Sequence, residues 1–221
     1  MPNITKHIRI GLIVEDRYSN AYRELTQKIC LNRVRGYPLK KNKTIPATRK
    51  LRAWIETVRD KYDFVFVLVD LDTPMHRKDP EYFRRLQTIC EQEGAALLIV
   101  KIELESWLLA DVESIARWQK ANRSLSNYHN TARNPLDPKT EIVKLVNLIN
   151  HHKGRRKIRT FNPQWTGEIA KTMELNEATL NRNSSLQCFY NLVMGCCSDN
   201  GKEYFESYPQ DTHCNTPDLP D

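Results

Sequence analysis

The chain has 221 residues, 40% hydrophobic and 28% charged, with 34 basic against 27 acidic side chains for a net charge of +7. That size suits one domain with an appendage, since a single core stops growing at about 250–300 residues. No apolar run approaches the roughly 18–20 residues that span a bilayer, and the seven glycines form neither a Gly-x-Gly-x-x-Gly turn nor a Gly-Lys-Ser/Thr loop, which disfavours Rossmann and P-loop chemistry.

Residues 1–9 lack the apolar stretch of a signal peptide, so a cytoplasmic location is expected. Lys6 to Val14 is β-branched and apolar and reads as a buried strand ended by Glu15 and Asp16. Ser19 to Val34 carries helical spacing through Tyr22, Leu25, Ile29 and Cys30, and residues 35–45 are basic and turn-like. Pro46 opens a second helix with Leu51, Trp54, Ile55 and Val58 on its apolar face. Phe64 to Val69 is uninterruptedly apolar, as expected of a strand covered on both faces, and ends at Asp70-Leu71-Asp72. A helix from Pro80 closes near Gly94, Ala95 to Ile102 is a third strand, and Glu103 to Asp111 opens the next helix.

Strands alternating with helices predict an α/β fold, a mostly parallel sheet flanked by helices, with a C-terminal helical portion. Residues 122–138 read as a connecting loop, and helices follow at about 139–150, 166–181 and 184–194. The division is an α/β core over 1–122, a helical portion packed on it over 123–194, and a mobile acidic tail over 195–221.

Residues 1–60 hold fourteen basic side chains against five acidic ones, and 153–159 hold five more basic side chains. Such stretches attract a polyanion, nucleic acid being the commonest in cytoplasm, or else form solvated faces. The six cysteines read as free thiols of a reducing compartment, with Cys30, Cys90 and Cys188 in the core. Cys196, Cys197, His213 and Cys214 match a zinc site poorly, because adjacent cysteines lack the usual spacing. Adjacent His151 and His152 diverge on a helix and are no metal pair.

Three strands end in acids: Glu15, then Asp70 and Asp72, then Glu103 and Glu105. Ligands of open parallel sheets bind beyond the strand carboxyl ends. Carboxylates gathered there repel unless a cation sits between them, and oxygen ligands without histidine favour Mg2+ or Mn2+ over zinc. Such an ion orients a phosphodiester and activates water. Taken singly, each acid also suits a helix cap or a turn. Arg17, Lys139, the loop Lys40, Lys41 and Lys43, and the run Arg155, Arg156 and Lys157 are the substrate-side candidates.

Strand–Glu–helix followed by strand–Asp-x-Asp resembles the Toprim domain of bacterial primases, topoisomerases and overcoming-lysogenisation-defect nucleases. IGLIVED, FVFVLVDLD, KIELESWLLAD, the Asp137-Pro-Lys segment and the helical stretch from Ile169 are most similar to the prokaryotic domain-of-unknown-function 4276 family. The resemblance implies Glu15 as general acid/base or metal ligand and Asp70 and Asp72 as magnesium ligands. Its acidic-Trp motif falls on Glu103, Glu105 and Trp107. It implies a Mg2+-dependent nuclease of DNA or RNA, acting in defence against phage or mobile elements, beside a partner protein of a defence system. Asp16 stands where Toprim proteins carry glycine, which keeps open a second reading, a non-catalytic module that binds nucleic acid or recruits partners. A phosphotransferase, lacking a glycine-rich cradle, ranks last.

Overall fold

The computed structural model describes residues 7–15, 20–31, 33–40, 44–71, 79–122, 124–132, 137–152 and 160–208. Four strands, β1 (Ile8–Val14), β2 (Val34–Lys40), β3 (Phe64–Asp70) and β4 (Ala96–Val100), form one sheet in the order β2-β1-β3-β4 with every pair parallel. The helices between them are α1 (Asn20–Ile29), α2 (Arg49–Arg59) and α3 (Pro80–Gln92). After β4 come α4 (Leu104–Leu109), α5 (Val112–Trp118), α6 (His129–Ala132), α7 (Pro138–His152), α8 (Thr166–Thr172), α9 (Glu177–Leu180), α10 (Ser184–Cys196) and α11 (Gly201–Glu206).

The two-residue alternation of a strand sorts the core into two halves. Ile10, Leu12, Val14, Phe66, Leu68 and Leu98 face α1, α4, α5, α7, α8 and α10 in one cluster. Ile13, Val65, Val67, Val69, Leu97 and Ile99 face α2 and α3 in the other. Both faces are therefore covered, which is why β3 and β4 are continuous apolar runs. Caps set the helix starts: Thr48 Oγ1 accepts from Lys50 N at 3.3 Å ahead of α2, and Asp79 Oδ1 accepts from Glu81 N at 2.9 Å ahead of α3, with Pro80 in the first turn.

The structure departs from the sequence reading in several places: the loop expected over 122–138 holds a 3-10 turn (Ser126–Tyr128) and α6, and the helix expected to reach Val34 ends at Ile29. Residues 34–40 are a strand and not a turn: they lie on the sheet edge, where Arg35, Gly36 and Pro38 are tolerated. The helix expected over 166–181 is two helices, because chain-distant groups hold the break between them. The Lys28 ammonium donates to Lys171 O at 2.7 Å and to Met173 O, and Glu174 N donates to Asp111 Oδ2 at 2.8 Å. Residues 195–208 are not a coreless tail. Phe205 of α11 lies against Phe64 and Phe66 at ring separations of 5.0 and 5.9 Å, and Tyr208 is buried. Finally, Cys30 and Cys197 are disulfide-bonded, with Cα atoms 6.6 Å apart, and Cys188 is disulfide-bonded as well. The ends of α1 and α10 meet there, across 167 residues of sequence. Cys90 and Cys196 are free and buried, and burial pushes the Cys196 thiol up to about 12. Cys197 is thus no zinc ligand, and His213 and Cys214 lie outside the described residues.

Among the described residues no helix is long and apolar enough to cross a membrane.

Candidate functional site at the carboxyl rim of the sheet

The strand order reverses between β1 and β3: the chain leaves β1 toward β2 on one side, and the sheet continues through β3 to β4 on the other. Such a switch point opens a crevice beyond the strand carboxyl ends. Glu15 follows β1 and Asp70 ends β3, so these two acids flank it. Glu15 spans the gap. Its Oε2 accepts from Asp70 N at 3.2 Å and its Oε1 accepts from Ile45 N at 2.7 Å. Tyr82 of α3 donates to Ile45 O at 2.6 Å and stands 3.5 Å from Glu15 Oε1, fixing the loop before α2 over the rim.

β4 delivers the second pair of acids through a strained turn. Ile102 has φ +66°, a left-handed conformation costly for a β-branched residue. The turn throws Glu103 into the N-cap position of α4, yet its side chain makes no cap hydrogen bond. It reaches Lys139 instead, Nζ to Oε2 at 2.5 Å. Glu105, in the first turn of α4, is 3% exposed, an uncommon depth for a carboxylate. Burial works against a charged Lys139, but the attraction of Glu105, the hydrogen bond to Glu103 and the charges of Glu103 and Asp70 outweigh it and raise its pKa. Lys139 begins α7, where the helix dipole disfavours a cation, so the acids are what hold it there.

The structure brings together Glu15, Asp70, Glu103, Glu105 and Lys139. Lys139, expected on the substrate side, is half-exposed and turned toward the acids. Asp72, Arg17, Lys41, Lys43, Arg155, Arg156 and Lys157 lie outside the described residues, as does the side chain of Lys40, the last residue of β2.

The rest of the β4–α4 motif is structural. Trp107 is fully buried, and its Nε1 donates to Ser185 Oγ at 2.7 Å. Ser185 Oγ also accepts from Lys101 N at 3.0 Å and donates to Asn183 Oδ1 at 2.9 Å, while Asn183 Nδ2 donates to Ser106 Oγ at 3.2 Å. Asn183 Oδ1 caps α10 through Leu186 N at 3.0 Å. This buried network fixes the turn that carries Glu103 and Glu105. Asp111 pairs with Arg117, whose Nε donates to Thr172 O at 2.8 Å, and so braces α5 against α8.

Comparison with family models, with curated proteins and with solved structures gives no match to this chain.

The rim donors are carboxylate oxygens, which suit a hard cation such as Mg2+ or Mn2+. Among the described residues, however, no three acidic, histidine or cysteine side chains form a group that could hold a metal ion. Of the described acids, Asp70 and Glu105, whose charges both act on Lys139, would hold one. Sequence reasoning missed Tyr82, Asn183 and Ser185. Tyr82 sits on an apolar helix face that gives no sign of its contact with Glu15, whereas Asn183 ahead of an apolar helix carried a readable cap signal.

Proposed function

We propose that this chain is a divalent-cation-dependent nuclease of the Toprim kind, cleaving phosphodiesters of DNA or RNA. The carrying observation is the delivery of Glu15, Asp70, Glu103 and Glu105 to one rim by three parallel strands, with Lys139 held among the last three. Asp70, with Asp72, would hold Mg2+ or Mn2+, and the ion when bound neutralises a phosphate and activates water. Glu15, tied to two main-chain amides, keeps a fixed carboxylate beside Asp70 from which a proton can be taken or returned. Lys139 supplies a charged donor at the mouth of the rim. A defence role beside a partner protein is carried by the family resemblance alone.

The test is incubation of purified protein with linear, supercoiled and single-stranded nucleic acid in Mg2+, Mn2+ or chelator, alongside Asp70→Asn. Cation-dependent cutting that falls at least about a hundredfold in the variant is expected, since such an ion contributes several kcal/mol at the transition state. Equal cutting by both proteins sinks the proposal.

One observation favours a second reading, a non-catalytic nucleic-acid-binding module. Both Glu15 oxygens already accept main-chain hydrogen bonds, and Lys139 supplies positive charge where a metal otherwise would. Binding without cutting under every cation selects it.

A further inference from the structure

The open edge of the sheet carries a cleft of about 590 Å³ that wraps around β2. Arg23 and Gln27 of α1 line one side, and Arg35, Tyr37 and Tyr62 line the other, with no acidic residue in the lining among the described residues. Arg23 is paired with the neighbouring Glu24 at 2.7 Å, whereas no hydrogen bond or ion pair of the Arg35 guanidinium occurs among the described residues. Arg9, the register partner of Arg35 on β1, adds a second cation to the same face, where it meets Asp63 at 3.5 Å.

The aromatic pair is built into the fold. Gly11 of β1 is the register partner of Tyr37. A Cβ on Gly11 would come within 2.9 Å of the Tyr62 ring and 2.5 Å of Val58, so the glycine is what lets Tyr62 lie over the strand. The Tyr62 ring then sits 5.1 Å from that of Tyr37, tilted by 41°, and both rings are partly exposed. The edge itself is poorly suited to adding a strand. Arg33 O accepts from Ile8 N, so by alternation Pro38 turns its missing N–H outward, where a docking strand would need a donor.

We propose that this cleft is a path for single-stranded nucleic acid, with Arg35 and Arg23 on the phosphates and Tyr37 and Tyr62 as a stacking platform for bases. Cations beside exposed aromatic faces, without base-edge donors at fixed positions, are how single strands are held regardless of sequence. β2 runs for seven residues, about 20 Å, and ends at the same rim as Glu15 and Asp70, so a strand lying along it is led toward the acids. The assignment rests on the nuclease reading for its choice of nucleic acid, but binding is read without cleavage.

The test is fluorescence anisotropy of the full chain with labelled oligothymidylate and oligouridylate of about 12 nucleotides, a length within the site sizes of such grooves. Chelator is present, and salt is varied. Tyr37→Ala is expected to weaken binding about tenfold at all salt concentrations, as loss of one stacked base does. Arg35→Ala is expected to reduce the slope of log K against log salt by about 0.7. Tyr37→Leu, which keeps apolar contact with Tyr62, separates loss of stacking from loss of fold, and should weaken binding as Tyr37→Ala does. Absence of binding, unchanged binding in the Tyr37 and Arg35 variants, or equal competition by polyglutamate each overturns the proposal. If the cleft variants bind normally while cutting still depends on cation and Asp70, the path fails and the nuclease stands. If they lose binding and no cation supports cutting, the path stands and the nuclease fails.

Discussion

The Lys139 ammonium lies 2.5 Å from Glu103 Oε2, joining the start of α7 to the turn after β4 across 36 residues of sequence. The rim of the sheet therefore carries its own counter-cation, and the first prediction concerns its removal. Lys139→Met should leave Glu103, Glu105 and Asp70 repelling one another. Because the pair is half-exposed, the cost at neutral pH should be about 1 kcal/mol or less. Added Mg2+ should raise the melting temperature of the variant more than that of wild type, because a cation that binds only the folded state stabilises it. An equal Mg2+ response in both proteins would show that Lys139 and the ion do not share the same acids.

The same lysine gives a pH dependence. Its pKa is raised in the fold, so its stabilising contribution is fully present below the ordinary lysine value of 10.5 and lost as pH rises through the higher folded value. Denaturant midpoints of wild type and Lys139→Met should therefore differ most below the ordinary lysine value and converge as pH rises through the higher folded one. A gap that widens with pH contradicts the placement of Lys139.

Asp137 caps α7 just ahead of Pro138. Thr140 N donates to its Oδ1 at 3.0 Å and Thr140 Oγ1 donates to its Oδ2 at 2.6 Å. These two hydrogen bonds hold the Asp137 carboxyl below its ordinary value. Its contribution is therefore present above that ordinary value and lost as pH falls through the folded one. Asp137→Ala should cost about 1 kcal/mol at pH 7, the usual worth of an N-cap, and progressively less below pH 4. Urea titration at both pH values reads the difference.

Asn183→Ala should be among the most damaging polar substitutions. It removes the α10 cap, takes from Ser185 Oγ its acceptor and from Ser106 Oγ one of its partners, for about 2–3 kcal/mol together. Thermal unfolding should also show that Trp107→Phe, which deprives Ser185 Oγ of one donor, costs less than Asn183→Ala.

Reduction of the Cys30–Cys197 disulfide should lower stability by about 2–5 kcal/mol, since it opens a long loop of chain. Cys30→Ser under oxidising conditions should lose this contribution while keeping the Cys188 bond, and so fall between oxidised and reduced wild type, while Cys90→Ser should keep the full response to reductant. A melting temperature indifferent to reductant in wild type would show that the pair contributes nothing.

The parts of this fold that were legible are those decided by local pattern. β3 as far as Val69 and the whole of β4 are apolar because helices cover both faces. β2 was hidden because an edge strand with one covered side admits Arg35, Gly36 and Pro38. The break between α8 and α9 was hidden because Lys28 and Asp111, far off in sequence, supply its hydrogen bonds. At the rim, Glu15 and Asp70 could be picked out from their place after apolar strands. The pairing of Lys139 with Glu103, the Tyr82 contact to Glu15 and the Cys30–Cys197 link depend on which helix ends meet, and no local pattern encodes that.

Phe205 has a practical bearing on where this protein is shortened. A cut at residue 194, where helical periodicity runs out, would strip the ring from Phe66 and delete Cys197, leaving a greasy floor under the sheet and one half of a covalent tie. Such a fragment should clump when expressed. A version ending after Tyr208 keeps the ring on Phe66 and the Cys30–Cys197 link.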